Sequence, residues 1–173
     1  MQDVPSSIKP LLLCAVLFTS AFHSNVFAQA LGGETGLPLP RFVSLRFDEV
    51  NLRRGPSGKH KIIAVYQKIG LPLEVLGEYR DWRRVRDHQG ETGWIKRTQL
   101  SETRTALIKD DVAELHRTAK EDSRVVAKLS PQMVVELRDC PEQWCEVRVE
   151  GYRGYVKRSA LWGLADDELL EDR

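Results

Sequence analysis

One pattern is written twice in the second and larger part of this chain, and no other feature restricts the fold as much. At a spacing of 61 to 63 residues, Trp82 recurs as Trp144, Val85 as Val147, and Gly93-Trp94-Ile95-Lys96 as Gly154-Tyr155-Val156-Lys157. Leu100 returns as Leu161, Leu73-Glu74-Val75 as Val135-Glu136-Leu137, and Val50-Asn51-Leu52-Arg53 loosely as residues 112–117 with one residue inserted. With 173 residues in all, the chain has room for one ordinary domain or two small ones. A large multidomain enzyme is excluded.

Each copy reads as short strands between breakers. Period-two or β-branched runs occur at Ile62 to Tyr66, Leu73 to Leu76, Trp82 to Arg86 and Gly93 to Lys96. Turn signals separate them at Gly55-Pro56-Ser57-Gly58, Gly70 and Gln89-Gly90. No amphipathic run is long enough for a core helix.

Four blocks in order carry a resemblance. Asn51-Leu52-Arg53-Arg54-Gly55-Pro56-Ser57, Gly70-Leu71-Pro72-Leu73-Glu74-Val75-Leu76, Trp82-Arg83-Arg84-Val85 and Thr92-Gly93-Trp94-Ile95 resemble the bacterial SH3 domain over nearly all of residues 41 to 103. The second copy has Arg117-Thr118-Ala119-Lys120 where the first has Arg54-Gly55-Pro56-Ser57, and keeps the Trp and Gly-aromatic-Val blocks. The resemblance implies an all-β fold of two tandem small SH3-like barrels. It also implies a binding or targeting role in exported or cell-envelope proteins. Lys96 and Lys157 stand where eukaryotic relatives place a proline-recognising Pro, so no polyproline ligand is carried over. The expected organisation is a signal peptide at 1–30, a linker at 31–40, SH3-like domains at 41–104 and 105–165, and an acidic tail at 166–173, open between a short helix and disorder.

The last hairpin of each copy can be registered from its turn. His88-Gln89-Gly90 suits a three-residue loop with Gly in the left-handed position, which pairs Asp87 with Glu91. Opposite pairs are then Val85:Gly93, Arg84:Trp94, Arg83:Ile95 and Trp82:Lys96. A two-residue Glu150-Gly151 turn gives Val147:Gly154, Glu146:Tyr155, Cys145:Val156 and Trp144:Lys157. Opposed residues share a face, so Trp82, Arg84, Trp94 and Lys96 form an aromatic and cationic strip, the candidate ligand-binding residues. The other reading of the two tryptophans is that they cover the barrel edge or bury the contact between copies. Ile95, opposite Arg83, is expected on the strip face unless twist or a bulge turns it inward.

Two features concern the compartment. After Lys9 comes the apolar run Leu11 to Phe18, then Ala28-Gln29-Ala30, the order of a secretory signal peptide cleaved after Ala30 or Ala28. The run is far below the ~20 residues that span a bilayer, so the membrane is met only through this transient segment. Cys14 would be discarded with it, leaving Cys140 and Cys145. In an oxidising compartment this pair is expected to form a disulfide across a hairpin loop. His60, His88 and His116 show no metal-ligand spacing with these cysteines, and no metal or other cofactor is expected.

Charge is divided between the copies. Arg41 to Arg104 holds 14 Lys/Arg against 8 Asp/Glu, whereas Thr105 to Arg173 holds 11 against 15. The formal total of +1 gives no pull toward nucleic acid. Asp110-Asp111 mimics an acid pair, but neighbours on a strand point to opposite faces, and no phosphate loop or nucleophile elbow is present. The expectation is therefore no catalytic residue, and a periplasmic or secreted non-catalytic module that recognises peptidoglycan peptides or another envelope component. The alternative is an adaptor that docks to an envelope enzyme or receptor.

Overall fold

The computed structural model describes residues 30–109, 111–141, 143–166 and 168–170. The signal-peptide run, Cys14 and the alternative cleavage point after Ala28 lie outside them, and of the expected cleavage site after Ala30 only Ala30 itself is described. Two short strands, β1 (Ala30–Leu31) and β2 (Pro38–Leu39), pair with each other ahead of the first copy. Copy one follows as β3 (Arg41–Leu45), β4 (Val50–Arg53), β5 (Ile62–Tyr66), β6 (Pro72–Tyr79), β7 (Trp82–Arg86), β8 (Thr92–Lys96), a 3-10 turn at Arg97–Gln99 and β9 (Leu100–Ser101). Copy two repeats the series as β10 (Thr105–Ile108), β11 (Ala113–His116), β12 (Val125–Leu129), β13 (Val134–Asp139), β14 (Trp144–Val149), β15 (Tyr152–Lys157), a 3-10 turn at Arg158–Ala160 and β16 (Leu161–Trp162).

The sheets have the same permutation, β5-β4-β8-β7-β6-β3-β9 and β12-β11-β15-β14-β13-β10-β16, with antiparallel neighbours throughout. This is the expected all-β fold of two tandem SH3-like units. Both hairpin registers are as the turns dictate, pair for pair. Gly90 and Gly151 take φ of +88° and +85°, the left-handed conformation that lets each strand return without strain.

Ile95 needs no bulge. Alternation from Val85 places Arg83 on the same inner face, and Ile95 opposite Arg83 shares it, with exposures of 0% for Ile95 and 6% for Arg83. Period-two alternation alone turns Arg83 and Ile95 inward, against the expectation of Ile95 on the strip face. Val50, Leu52, Leu73, Val75 and Val85 complete this inner face, as Ala113, Leu115, Val135, Leu137, Val147 and Val156 do in copy two.

The glycine before each motif aromatic is a packing requirement. A Cβ on Gly93 would stand 2.6 Å from Leu52 Cγ and 2.9 Å from Arg53 O, and one on Gly154 would stand 2.5 Å from His116 O. Strands β4 and β11 cross β8 and β15 too closely for a side chain.

The copies meet through β10. Its four residues are all buried. Ala106 and Ile108 face the core of copy two, whereas Leu107, 1% exposed, packs with Val134 and Trp162 into the cluster of copy one. Trp162 meets Phe42 edge to face with ring centroids 5.2 Å apart, and Thr105 Oγ1 donates to Gly70 O at 2.7 Å. The equivalent positions in copy one, by ladder register, are Ser44 and Ser101.

Candidate functional site

The outer face of the β7–β8 hairpin brings Trp82, Arg84, Trp94 and Lys96 together in the expected strip. Trp82 stands opposite Lys96 and Arg84 opposite Trp94, while Arg53 on β4 flanks Trp94 from the other side. Both tryptophans are half-buried and both cations exposed. Half-buried indoles in register with exposed cations offer a flat or sugar-like group apolar area to stack on and a carboxylate a charge to pair with. Neither Trp82 nor Trp94 belongs to either buried cluster. The contact between copies is made by Leu107, Val134 and Trp162, which the sequence reading did not single out.

The hairpin tip that carries the strip is held rigid by Asp87. Its carboxylate accepts the Tyr66 hydroxyl at 3.0 Å and the backbone N–H groups of Gln89 and Glu91 at 3.0 and 2.9 Å. Burial, then the charge of Asp87, push the Tyr66 hydroxyl well above the usual phenol range, so it stays a neutral donor.

Copy two has the same strip with its charge cancelled. Trp144 lies opposite Lys157, whose Nζ sits 5.9 Å from the ring centroid, and His116 packs edge-on at 5.1 Å. Lys157 is paired with Glu121 at 2.6 Å. Glu146, in the place of Arg84, is paired with Arg153. Trp144 and Lys157 face a groove of about 890 Å³ between the copies, together with Phe42, Arg86, Arg158 and Trp162.

The two cysteines are joined as a disulfide, with Cα atoms 4.1 Å apart. Cys145 pairs with Val156 on the inner face of β14. Cys140, just past β13, exchanges hydrogen bonds with Leu170 at 2.8 and 3.3 Å and so fastens the last described residues to copy two. Glu168, in the same stretch, pairs with Arg104 and accepts from the Ala165 N–H at 3.2 Å. Among the described residues no three His, Cys, Asp or Glu side chains form a group able to hold a metal ion, and no helix is long and apolar enough to cross a membrane.

One further charged group was invisible in the sequence. Glu78, its side chain 0% exposed, accepts from Arg41 Nη2 at 2.8 Å, Thr35 Oγ1 at 2.7 Å and the N–H groups of Glu34 and Thr35 at 3.0 and 2.9 Å, with Arg83 Nε at 3.4 Å. Burial raises its carboxyl, but the hydrogen bonds from Thr35, Arg41 and the two backbone donors outweigh that and hold it at about 2. Glu78 thus binds residues 32–35 to the β6–β7 corner. An acidic residue among aromatics gave no signal, because four of its five partners lie more than thirty-five residues away.

Against known proteins, the model of the bacterial SH3 domain matches this chain twice, at residues 47–102 and 109–163. No curated protein matches. Among solved structures, NlpC2 from Trichomonas vaginalis is similar at 17% identity and a TM-score of 0.33 over 71% of this chain and 48% of that one. NlpC1 from the same organism gives 17% and 0.33 over 76% and 48%. An NlpC/P60 family protein from Bacillus cereus gives 12% and 0.33 over 70% and 55%. The chain spans about half the length of each of these three structures.

Proposed function

Since the chain belongs to the bacterial SH3 domain family, in two copies, we propose that it is an exported, non-catalytic binding module of the cell envelope that recognises peptidoglycan peptides through copy one. One observation carries the choice of copy. Arg84 and Lys96 beside Trp82 and Trp94 form no ion pair among the described residues, the exposed Asp81 feeling the Lys96 charge only from farther off, whereas in copy two Glu121 is paired with Lys157 and Glu146 takes the place of Arg84. A peptide bearing free carboxylates and a flat amide backbone meets the uncancelled strip favourably, because the indoles supply contact area at little entropic cost and the cations supply charge. The disulfide fits an oxidising compartment.

Sedimentation of the purified chain with peptidoglycan sacculi tests this. Binding should saturate and survive moderate salt, and Trp82→Ala or Trp94→Ala should weaken it about tenfold, as for an aromatic anchor, with β structure retained. Recovery of a single stoichiometric envelope protein, with no sacculus binding, would replace this reading with the adaptor.

A further inference from the structure

Copy one carries a second concave surface that includes none of the strip residues. A pocket of about 440 Å³ is lined by Arg41, Arg46, Arg83, Arg97 and Arg104, with Glu102 the one acidic residue in its wall. Five guanidiniums around one small space repel each other unless carboxylates intervene, and the structure shows how far they are answered. Arg41 and Arg83 share the single buried carboxylate of Glu78, Arg97 is held by Asp81 at 2.8 Å, and Arg104 by Glu168. Arg46 is exposed and has no ion pair among the described residues. Five positive charges thus face four negative ones, counting Glu102.

The donors tell the same story independently. Arg41 Nη1 and Arg104 Nε are buried and meet no acceptor among the described residues. Buried guanidinium N–H groups without an acceptor are uncommon and costly. The forks are also fixed in place: Arg83 Nη1 donates to Arg80 O and Trp82 O at 2.8 and 3.0 Å, and Arg104 Nη2 to Gly163 O at 2.8 Å. Arg41 and Arg104, each anchored by its other nitrogens with one N–H left over, beside the unpaired charge of Arg46, are the complement of a small planar or tetrahedral oxoanion.

We propose that this pocket is an oxoanion-binding site, taking one carboxylate or phosphate group against Arg41, Arg46 and Arg104. It is separate from the strip, so a ligand could engage both, and either can fail without the other.

The probe is inorganic phosphate, added to the purified full chain at constant ionic strength balanced with chloride, and read by NMR at the arginine Nε–Hε resonances. Saturable shifts confined to the pocket arginines are expected. Arg46→Glu should weaken the apparent affinity about tenfold, the size of one charge-assisted hydrogen bond, since Arg46 is exposed and its loss spares the fold. Lys59→Glu, the same charge change at an exposed loop outside the pocket, and Trp82→Ala should leave it unchanged. Shifts that never saturate, or that fall equally in Arg46→Glu and Lys59→Glu, would overturn the proposal and mark a diffuse counter-ion effect. A peptide with a free C-terminal carboxylate, compared with its amide, identifies the source of the group: displacement of phosphate by the acid alone assigns peptide, and displacement by neither assigns a phosphoryl group.

Discussion

The same corner of the barrel is closed by different chemistry in the two copies. In copy one the β6–β7 pair places Glu78 opposite Arg83, a buried ion pair; at the equivalent positions copy two has Cys140 and Cys145, a covalent bond. Each closure also fastens a flanking segment, residues 32–35 to Glu78 and Leu170 to Cys140. The backbone around them is alike: Arg97 N–H donates to Asp81 O at 2.7 Å and Arg158 N–H to Gln143 O at 2.9 Å. The geometry of the corner is therefore set by the fold, and the sequence chooses whether protons or electrons can open it.

The largest expected effect comes from breaking the ionic version. Glu78→Ala leaves two guanidiniums beside a hole, and a buried charge without its partner costs about 3 kcal/mol or more. The urea midpoint should fall, and amide hydrogen exchange should show copy one as the weakened half. The pH dependence has a definite sign. The carboxyl falls from its ordinary 4.5 to about 2 in the folded chain, so its contribution is complete above 4.5 and is lost as the pH drops through 2. Unfolding midpoints followed from pH 5 downward should fall for the native chain and flatten in Glu78→Gln. A midpoint that drops equally in both would assign the acid sensitivity elsewhere.

Next in size is the seam. Giving copy two the residue that copy one has at this place, Leu107→Ser, removes a fully buried side chain and should cost about 3 kcal/mol. It should also split one unfolding transition into two by calorimetry. Trp162→Ser, the corresponding change on β16, should act in the same direction.

Reducing the Cys140–Cys145 bond comes third. Closing so short a loop restricts the unfolded chain only modestly, and the expected loss is about 2 kcal/mol with β structure kept. Once Cys14 has left with the signal peptide, the oxidised chain should lack alkylatable thiols; freely alkylating Cys140 and Cys145 would remove the covalent half of the comparison. The smallest stability effect belongs to the strip: Trp82→Ala or Trp94→Ala should cost about 1 kcal/mol, the average for a point change, because part of each ring already faces water.

What the sequence made readable follows from the range of the interactions. Gly90 and Gly151 fix loop length, loop length fixes register, and register places Trp82, Arg84, Trp94 and Lys96 on one face. That chain is local at every step. The failures are non-local. Leu107 looks like an ordinary core residue, and only the unbroken run Thr105-Ala106-Leu107-Ile108 hints that β10 is buried on both faces rather than one. Glu78 and the five arginines of the second pocket are scattered between positions 41 and 104, and charged residues carry no periodicity that would announce where they converge. The misplacement of Arg83 is different in kind, since strict alternation already sends it inward; an arginine on an inner face is unexpected only until its carboxylate is known.

The doubly buried strand also decides what can be moved between proteins. Cut at Glu102 and grafted elsewhere, copy two would present Leu107 and Trp162 to water, a sticky flank on an otherwise charged module. Copy one would lose the lining that closes its own interior. Duplication supplied two look-alike pieces, yet the smallest portable cassette is the pair, and shuffling or fusion should respect that joint rather than the repeat boundary written in the sequence.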